Sequence, residues 1–319
     1  MPHYSRLIVL SALCATALAV ENSTTHTTDA DLGPRVIGGY IPKKGPSLVA
    51  LVLYGISALV QWIQYFTVTP RRPFILWLTC GMTAMALGFV LRIIFANEPS
   101  SMGRYIAMDL FILLSPCLFL ATDYMILSHL VRIFDEEIAE KCMLIRPTLI
   151  VRLFVWSDVS TFLLQSTGGG LTAMKDVNLA NIGNKIAEVG IILQAVSFLL
   201  FTIVFVVFGI RIQKHFPEVW RPRVQEPFRL FSREPIEDWR ILFYVTSLTC
   251  IGILIRSVFR IVEFVGGYNG MVFTHEGYFY VLDALPLWIA MTLYCFVWPI
   301  RVFNHTPVAS FELKKSSPY

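Results

Sequence analysis

The sequence predicts an all-α polytopic membrane protein, a bundle of seven transmembrane helices with its N-terminus outside and its C-terminus inside. Three observations carry that reading. Of 319 residues, 55% are hydrophobic and only 15% charged, too few polar groups to clothe a water-soluble domain of this length. The apolar residues, at a mean hydropathy of +0.63, gather into seven runs. Each is near the ~20 residues that cross a hydrocarbon core as a helix. Lysine and arginine are also shared unevenly among the connecting segments, and that bias sets an orientation.

The runs extend from Pro46 to Phe66, Phe74 to Phe95, Tyr105 to Leu127, Leu149 to Leu171, Ile186 to Ile210, Trp239 to Val265 and Tyr278 to Ile300. Pro73 and Pro147 sit where helices begin, a position that needs no backbone donor. Pro116 lies inside the third run and is expected to kink it. Ahead of the first run, Met1 to Ala19 reads as a signal peptide. Arg6 supplies the positive flank, Leu7 to Leu18 the apolar stretch, and Ala17-Leu18-Ala19 the small-residue cleavage pattern. Residues 20–45 then form an extracellular tail with a glycosylation sequon at Asn22-Ser23-Thr24. Residues 46–300 are the membrane domain and 301–319 a cytoplasmic tail.

With the first tail outside, the inner segments collect fifteen lysines and arginines and the outer ones six. The signal peptide, the sequon and this bias agree on one orientation. The longest inner segment, Arg211 to Arg240, interleaves arginines with Trp220, Phe228, Phe231 and Trp239. That mixture suits a segment resting on an anionic inner leaflet, and equally suits ordinary positive-inside charge.

The function classes that the residues exclude are as informative. The six cysteines show no CxxC and no Cys/His ligand spacing, so they read as small apolar fillers rather than a disulfide frame or a zinc site. The six histidines lie outside the span centres. There is no HExxH, GxSxG, P-loop or strand-borne GxGxxG. The expectation is a protein with no enzymatic activity, metal, cofactor or nucleic-acid partner.

Charged residues inside the spans carry the functional signal. On insertion scales each costs roughly 2.5–3.5 kcal/mol at the bilayer centre, so each needs a partner, water or a route to the interface. Span four places Asp158, Thr161 and Gln165 on one helical face, followed by Gly168-Gly169-Gly170. That glycine run predicts a helix break, or a place of close backbone or ligand approach. Span six stacks Arg256, Arg260 and Glu263 on one stripe. Glu263 is placed to pair with Arg260, which leaves Arg256 for a carboxylate elsewhere; Asp158 is the expected partner. Arg92 and Asp283 lie towards the outer ends of spans two and seven. The set reads either as ion pairs that lock helices together or as a polar cavity for a ligand, and a cavity lined by the lock satisfies both.

At these residues the chain resembles the fungal RTA-like family, the lipid-translocating exporters. Tyr40-Ile41-Pro42 is similar to the family's opening Tyr-x-Pro, and Gly88 to Arg92 to its Gly-aromatic-x-x-Arg. Pro116, Ala121 and Tyr124 fit its third span. The stretches Asp158 to Gln165 with Gly168 to Gly170, and Ile255 to Phe264, resemble its two most specific segments. Gly190, Gln194, Glu276, Tyr280, Asp283 and Pro299 follow at its spacing. One departure stands out: Met85 occupies a place, one turn before Gly88, where the family often has glutamate. The resemblance implies a multi-pass plasma-membrane protein without an ATPase domain. It also implies activities such as export of sphingoid long-chain bases, resistance to toxic sterol-like compounds or porphyrin uptake. A cationic amine on a long chain suits a site in which Asp158, Glu263 and Asp283 hold the amine while membrane lipid surrounds the chain. The alternative is a receptor-like sensor of lipid stress, although His129-Leu130-Val131-Arg132 stands where a receptor would carry an Asp-Arg-Tyr motif.

Overall fold

The structure is a computed structural model describing residues 42–97, 101–134, 136–172, 174, 176–220, 236, 238–266 and 276–303. The signal peptide, the Asn22 sequon, Tyr40-Ile41, Phe228, Phe231 and the tail beyond Phe303 lie outside the described residues.

Among the described residues, seven helices are long and apolar enough to cross a membrane. They are α1 (Lys44–Thr67), α2 (Leu76–Phe95, entered through a 3₁₀ turn at Pro73–Ile75), α3 (Met102–Val131), α5 (Pro147–Thr172), α6 (Val177–His215), α8 (Trp239–Gly266) and a composite seventh. The seventh starts as α9 (Glu276–Tyr278), passes through a π-helical segment (Phe279–Ala284) and ends as α10 (Leu285–Phe296). Short helices α4 (Glu136–Cys142), α7 (Pro217–Trp220) and α11 (Pro299–Phe303) cap the bundle.

The fifth span is longer than its apolar run. At about 1.5 Å per residue, the 39 residues of α6 rise roughly 58 Å, about twice a hydrocarbon core. The Asp176 carboxylate caps its start by accepting from the Asn178 amide at 2.9 Å. Polar turns around Asn178 and Lys185, and around Arg211 and Lys214, are helical without being apolar. Hydropathy therefore marks Ile186 to Ile210 and misses both ends. Pro116 sits inside α3 without ending it.

Polarity is turned outside-in, as lipid requires. On α1 the exposed residues are Leu48, Val52, Ile56, Leu59 and Ile63, while Ser47, Ser57 and Gln61 are buried. With lipid as apolar as the side chains themselves, interhelical hydrogen bonds and close packing hold the helices together. Trp288 Nε1 donates to Ser57 Oγ at 3.1 Å, and Gln61 Nε2 donates to the Met291 carbonyl at 3.2 Å. At the opposite face of the bundle, Tyr124, Phe154, Phe198 and Phe201 pack as one aromatic layer.

One sequence expectation is corrected. The glycine run does not break the fourth span: α5 continues through Gly168, Gly169 and Gly170 to Thr172. The run instead serves close approach. A Cβ on Gly168 would lie 2.5 Å from the Ala187 amide nitrogen and 2.7 Å from the Gly183 carbonyl oxygen, so α5 and α6 touch backbone to backbone there. Trp239, at the start of the sixth span, is buried. Its ring meets Trp220 at 5.3 Å and Phe134 at 5.0 Å, which joins the start of α8 to α7 and the end of α3.

The glycines divide into essential and replaceable positions. A Cβ on Gly170 would meet nothing within 4 Å. Gly168→Ala is expected to destabilise the purified protein by about 1–3 kcal/mol through overpacking. Gly170→Ala is expected to be neutral or to stabilise by up to about 1 kcal/mol through helix propensity. Thermal unfolding of the two variants side by side checks the contrast.

Candidate functional site

Three spans meet through charge at the Glu276 end of the bundle. On α8, Arg256, Arg260 and Glu263 share a stripe, and Arg260 Nη1 donates to Glu263 Oε2 at 3.1 Å. The central acid is Asp283, fully buried on the π-helical segment. It accepts from Arg260 Nε at 2.8 Å and from Arg260 Nη2 at 3.2 Å, and it also ion-pairs with Arg256. One carboxylate thus answers two guanidinium groups. The local backbone follows from sequence: Pro286 has no amide hydrogen to give to the preceding turn. The ladder there shifts, with Leu285 N–H donating to the Tyr280 carbonyl, while the Tyr54 hydroxyl donates to the Ala284 carbonyl at 2.8 Å. A π-type insertion of this kind re-aims a side chain inward.

The third cation, Arg92, ion-pairs with Glu276 at 3.1 Å. Glu276 also accepts from the Tyr280 hydroxyl and the Lys43 amide. The Phe279 ring lies between two guanidinium groups, Arg92 at 4.5 Å and Arg260 at 5.5 Å from its centroid. Such stacking favours a cation held away from water. Asp109, on α3, lies within electrostatic reach of Arg260 and Arg92. Its Oδ2 would stand 2.9 Å from a Cβ on Gly169, so that glycine leaves room for the carboxylate.

Asp158 belongs to a second, separate arm. It does not meet Arg256, whose acid is Asp283. The expected Asp158–Arg256 pair fails because the π-helical turn presents Asp283 to α8 first. Asp158 is 2% exposed, with the Tyr124 hydroxyl as its one hydrogen-bonding neighbour, in a poorly aligned contact, and with no cation paired to it among the described residues. The groups facing it come from α3: the Tyr124 hydroxyl, itself without a well-formed hydrogen bond, and the Cys117 thiol. Thr161 donates to the Asp158 backbone carbonyl at 3.0 Å and leaves the carboxylate alone. Two turns on, Gln165 Nε2 donates to Gln194 Oε1 at 2.8 Å, and Gln194 Nε2 donates to Cys117 Sγ at 3.4 Å.

A narrow cleft joins the arms. Its walls include Pro116, Gln165, Gln194, Arg256, Ser257 and Arg260, and its free volume is about 30 Å³, room for about one water molecule. Of the seven charged and polar residues singled out in the spans, Arg92, Arg256, Arg260, Glu263 and Asp283 lie in the paired cluster. Gln165 lines the cleft, and Asp158 lies two turns before it on α5, outside the cleft's lining.

A family model described as RTA1 like protein matches residues 78–306, which include every charge in both arms. This chain belongs to the RTA1-like family. Among relatives from Saccharomyces cerevisiae, Protein RTA1 is 27% identical over 83% of this chain and 86% of its own length. Protoporphyrin uptake protein 1 is 29% identical over 65% of this chain and 62% of its own length. The Sphingoid long-chain base transporter RSB1 is 24% identical over 79% of this chain and 70% of its own length. No solved structure matches.

Sequence reasoning passed over two acids. Asp109 sits in the first turns of α3 and reads as interfacial. Asp123, fully buried lower on the same helix, accepts from the Tyr294 hydroxyl at 2.8 Å and the Thr249 hydroxyl at 3.1 Å. Asp123 stands four residues before the end of the apolar run, and what marks it, its hydroxyl partners, lies on two other helices.

The geometry makes Asp283 a lock. Asp283→Asn leaves two buried guanidinium groups short of an acid and is expected to cost about 3–5 kcal/mol. Adding Arg256→Gln to that variant is expected to restore part of the loss. Thermal stability of the single and double variants in detergent measures both.

Proposed function

We propose that this chain is a translocator of cationic amphiphilic lipids, with sphingoid long-chain bases as the leading substrate class. The observation that carries the reading is the state of the three acids suggested for an amine. Glu263 and Asp283 are already occupied by Arg260 and Arg256, whereas Asp158 is buried with no cation beside it. A buried acid without a partner is costly to keep and marks a functional position. A primary amine entering along the Gln165–Gln194 wall finds its counter-charge at Asp158 once that wall parts. The chain of the lipid stays among the exposed apolar faces of α5 and α6, such as Leu164 and Val189. The name of the RSB1 relative supports this cargo class; the name of the protoporphyrin relative supports an amphiphile in a wider sense. The paired cluster of Arg92, Arg256, Arg260, Glu263, Glu276 and Asp283 fixes the helices around the cleft.

The same proposal places the protein in the plasma membrane, N-terminus outside, with Asn22 glycosylated and 1–19 removed as a signal peptide. The arginines between Arg211 and Arg240 then lie at the anionic inner leaflet.

Two measurements test this. In vesicles holding only the purified protein, a tail-labelled fluorescent sphingoid base is expected to cross between leaflets faster than in protein-free vesicles. Asp158→Asn should reduce the rate to the protein-free level; unchanged movement in that variant removes Asp158 from the site. For orientation, glycosidase digestion of protein from its native membrane should shift its mobility, and Asn22→Gln should abolish the shift.

A further inference from the structure

The isolation of Asp158 bears on what drives movement, and the inference rests on the translocator reading. We propose that the site exchanges a lipid cation for a proton: Asp158 holds a proton when the site is empty and releases it when the ammonium binds. Around Asp158, α3 presents Tyr124 and Cys117, and two turns along α5 the Gln165 amide is bound to Gln194 of α6. On α5 itself the buried face is Phe154, Thr161, Phe162 and Gln165. Among the described residues no lysine, arginine or histidine is paired with it, and the Arg256 guanidinium is bound to Asp283. An ionised carboxylate in such surroundings, without a partner, costs several kcal/mol. The neutral acid avoids most of that cost.

An arriving ammonium changes the balance by supplying the missing charge. The O–H bond of the acid breaks, the proton leaves to water, and a carboxylate–ammonium pair forms. Net charge in the site is unchanged, zero before and zero after. Release reverses the step, and a proton from the receiving side takes the place of the cation. A proton gradient then drives the lipid the other way without a nucleotide-binding domain. By contrast Asp123, satisfied by Tyr294 and Thr249, has its hydrogen-bond partners already and serves packing.

The test uses tail-labelled N,N,N-trimethylsphingosine, whose ammonium has no proton to lose, so any response to pH belongs to the protein. Full-length protein is reconstituted in vesicles clamped at zero membrane potential, and outer-leaflet label is read by quenching. With equal pH on both sides the label should spread to both leaflets in a protein-dependent way. With an acidic interior the steady state should move towards the inner leaflet, about tenfold in leaflet ratio per pH unit for one-for-one exchange. Protein-dependent movement that ignores the gradient overturns proton exchange and leaves the translocator reading standing. No protein-dependent movement of this probe or of the primary amine removes both. Asp158→Asn should lose the gradient response, and the wild-type measurement decides the matter even if that variant folds poorly.

Discussion

A charge placed in hydrocarbon must meet its opposite or be neutralised, and one carboxylate carries most of that requirement here. Asp283 joins two guanidinium groups on α8 to the seventh span. It can do so because Pro286 displaces the hydrogen-bond ladder and the π-helical turn brings the acid inward. Arg92 and Glu276 extend the same logic to α2, and Tyr54 ties α1 to the displaced turn. Four spans thus converge on one polar knot. The knot supplies what the hydrophobic effect does not between helices already in lipid.

Asp158 follows the opposite rule. It lies on the wall formed by α3, α5 and α6, where aromatic packing and glycine contacts hold the helices without charge. The acid stands between Tyr124 and Cys117 with no cation paired to it. A paired cluster that fixes one side of the bundle, and an unpaired acid on the other with a cleft between, is the division of labour expected of a membrane site. One part is rigid and the other takes a guest.

Much of this was legible in the sequence, because hydropathy and helical spacing are local properties. The spans, the shared face of Asp158 and Gln165, and the Arg256–Arg260–Glu263 stripe follow from counting residues along a helix. Pairing across helices does not. Residue counting suggested Asp158 as the acid for Arg256, whereas the π-helical backbone at Phe279–Ala284 carries Asp283, the acid that Arg256 meets. Three consecutive glycines weigh against helix by propensity, yet the contact with Gly183 and Ala187 outweighs it. Asp109 and Asp123 were hidden for the same reason, since what marks each one is a neighbour on another helix.

The central claim is that a cationic lipid binds between α3, α5 and α6 at Asp158. Photo-crosslinking with a sphingoid base carrying a diazirine near its headgroup, followed by peptide mapping, tests it directly. The account predicts adducts on the segments around Pro116–Tyr124, Asp158–Gln165 and Gln194, suppressed by excess unlabelled base. Adducts confined to exposed apolar faces such as that of α1, and unaffected by competitor, would contradict it.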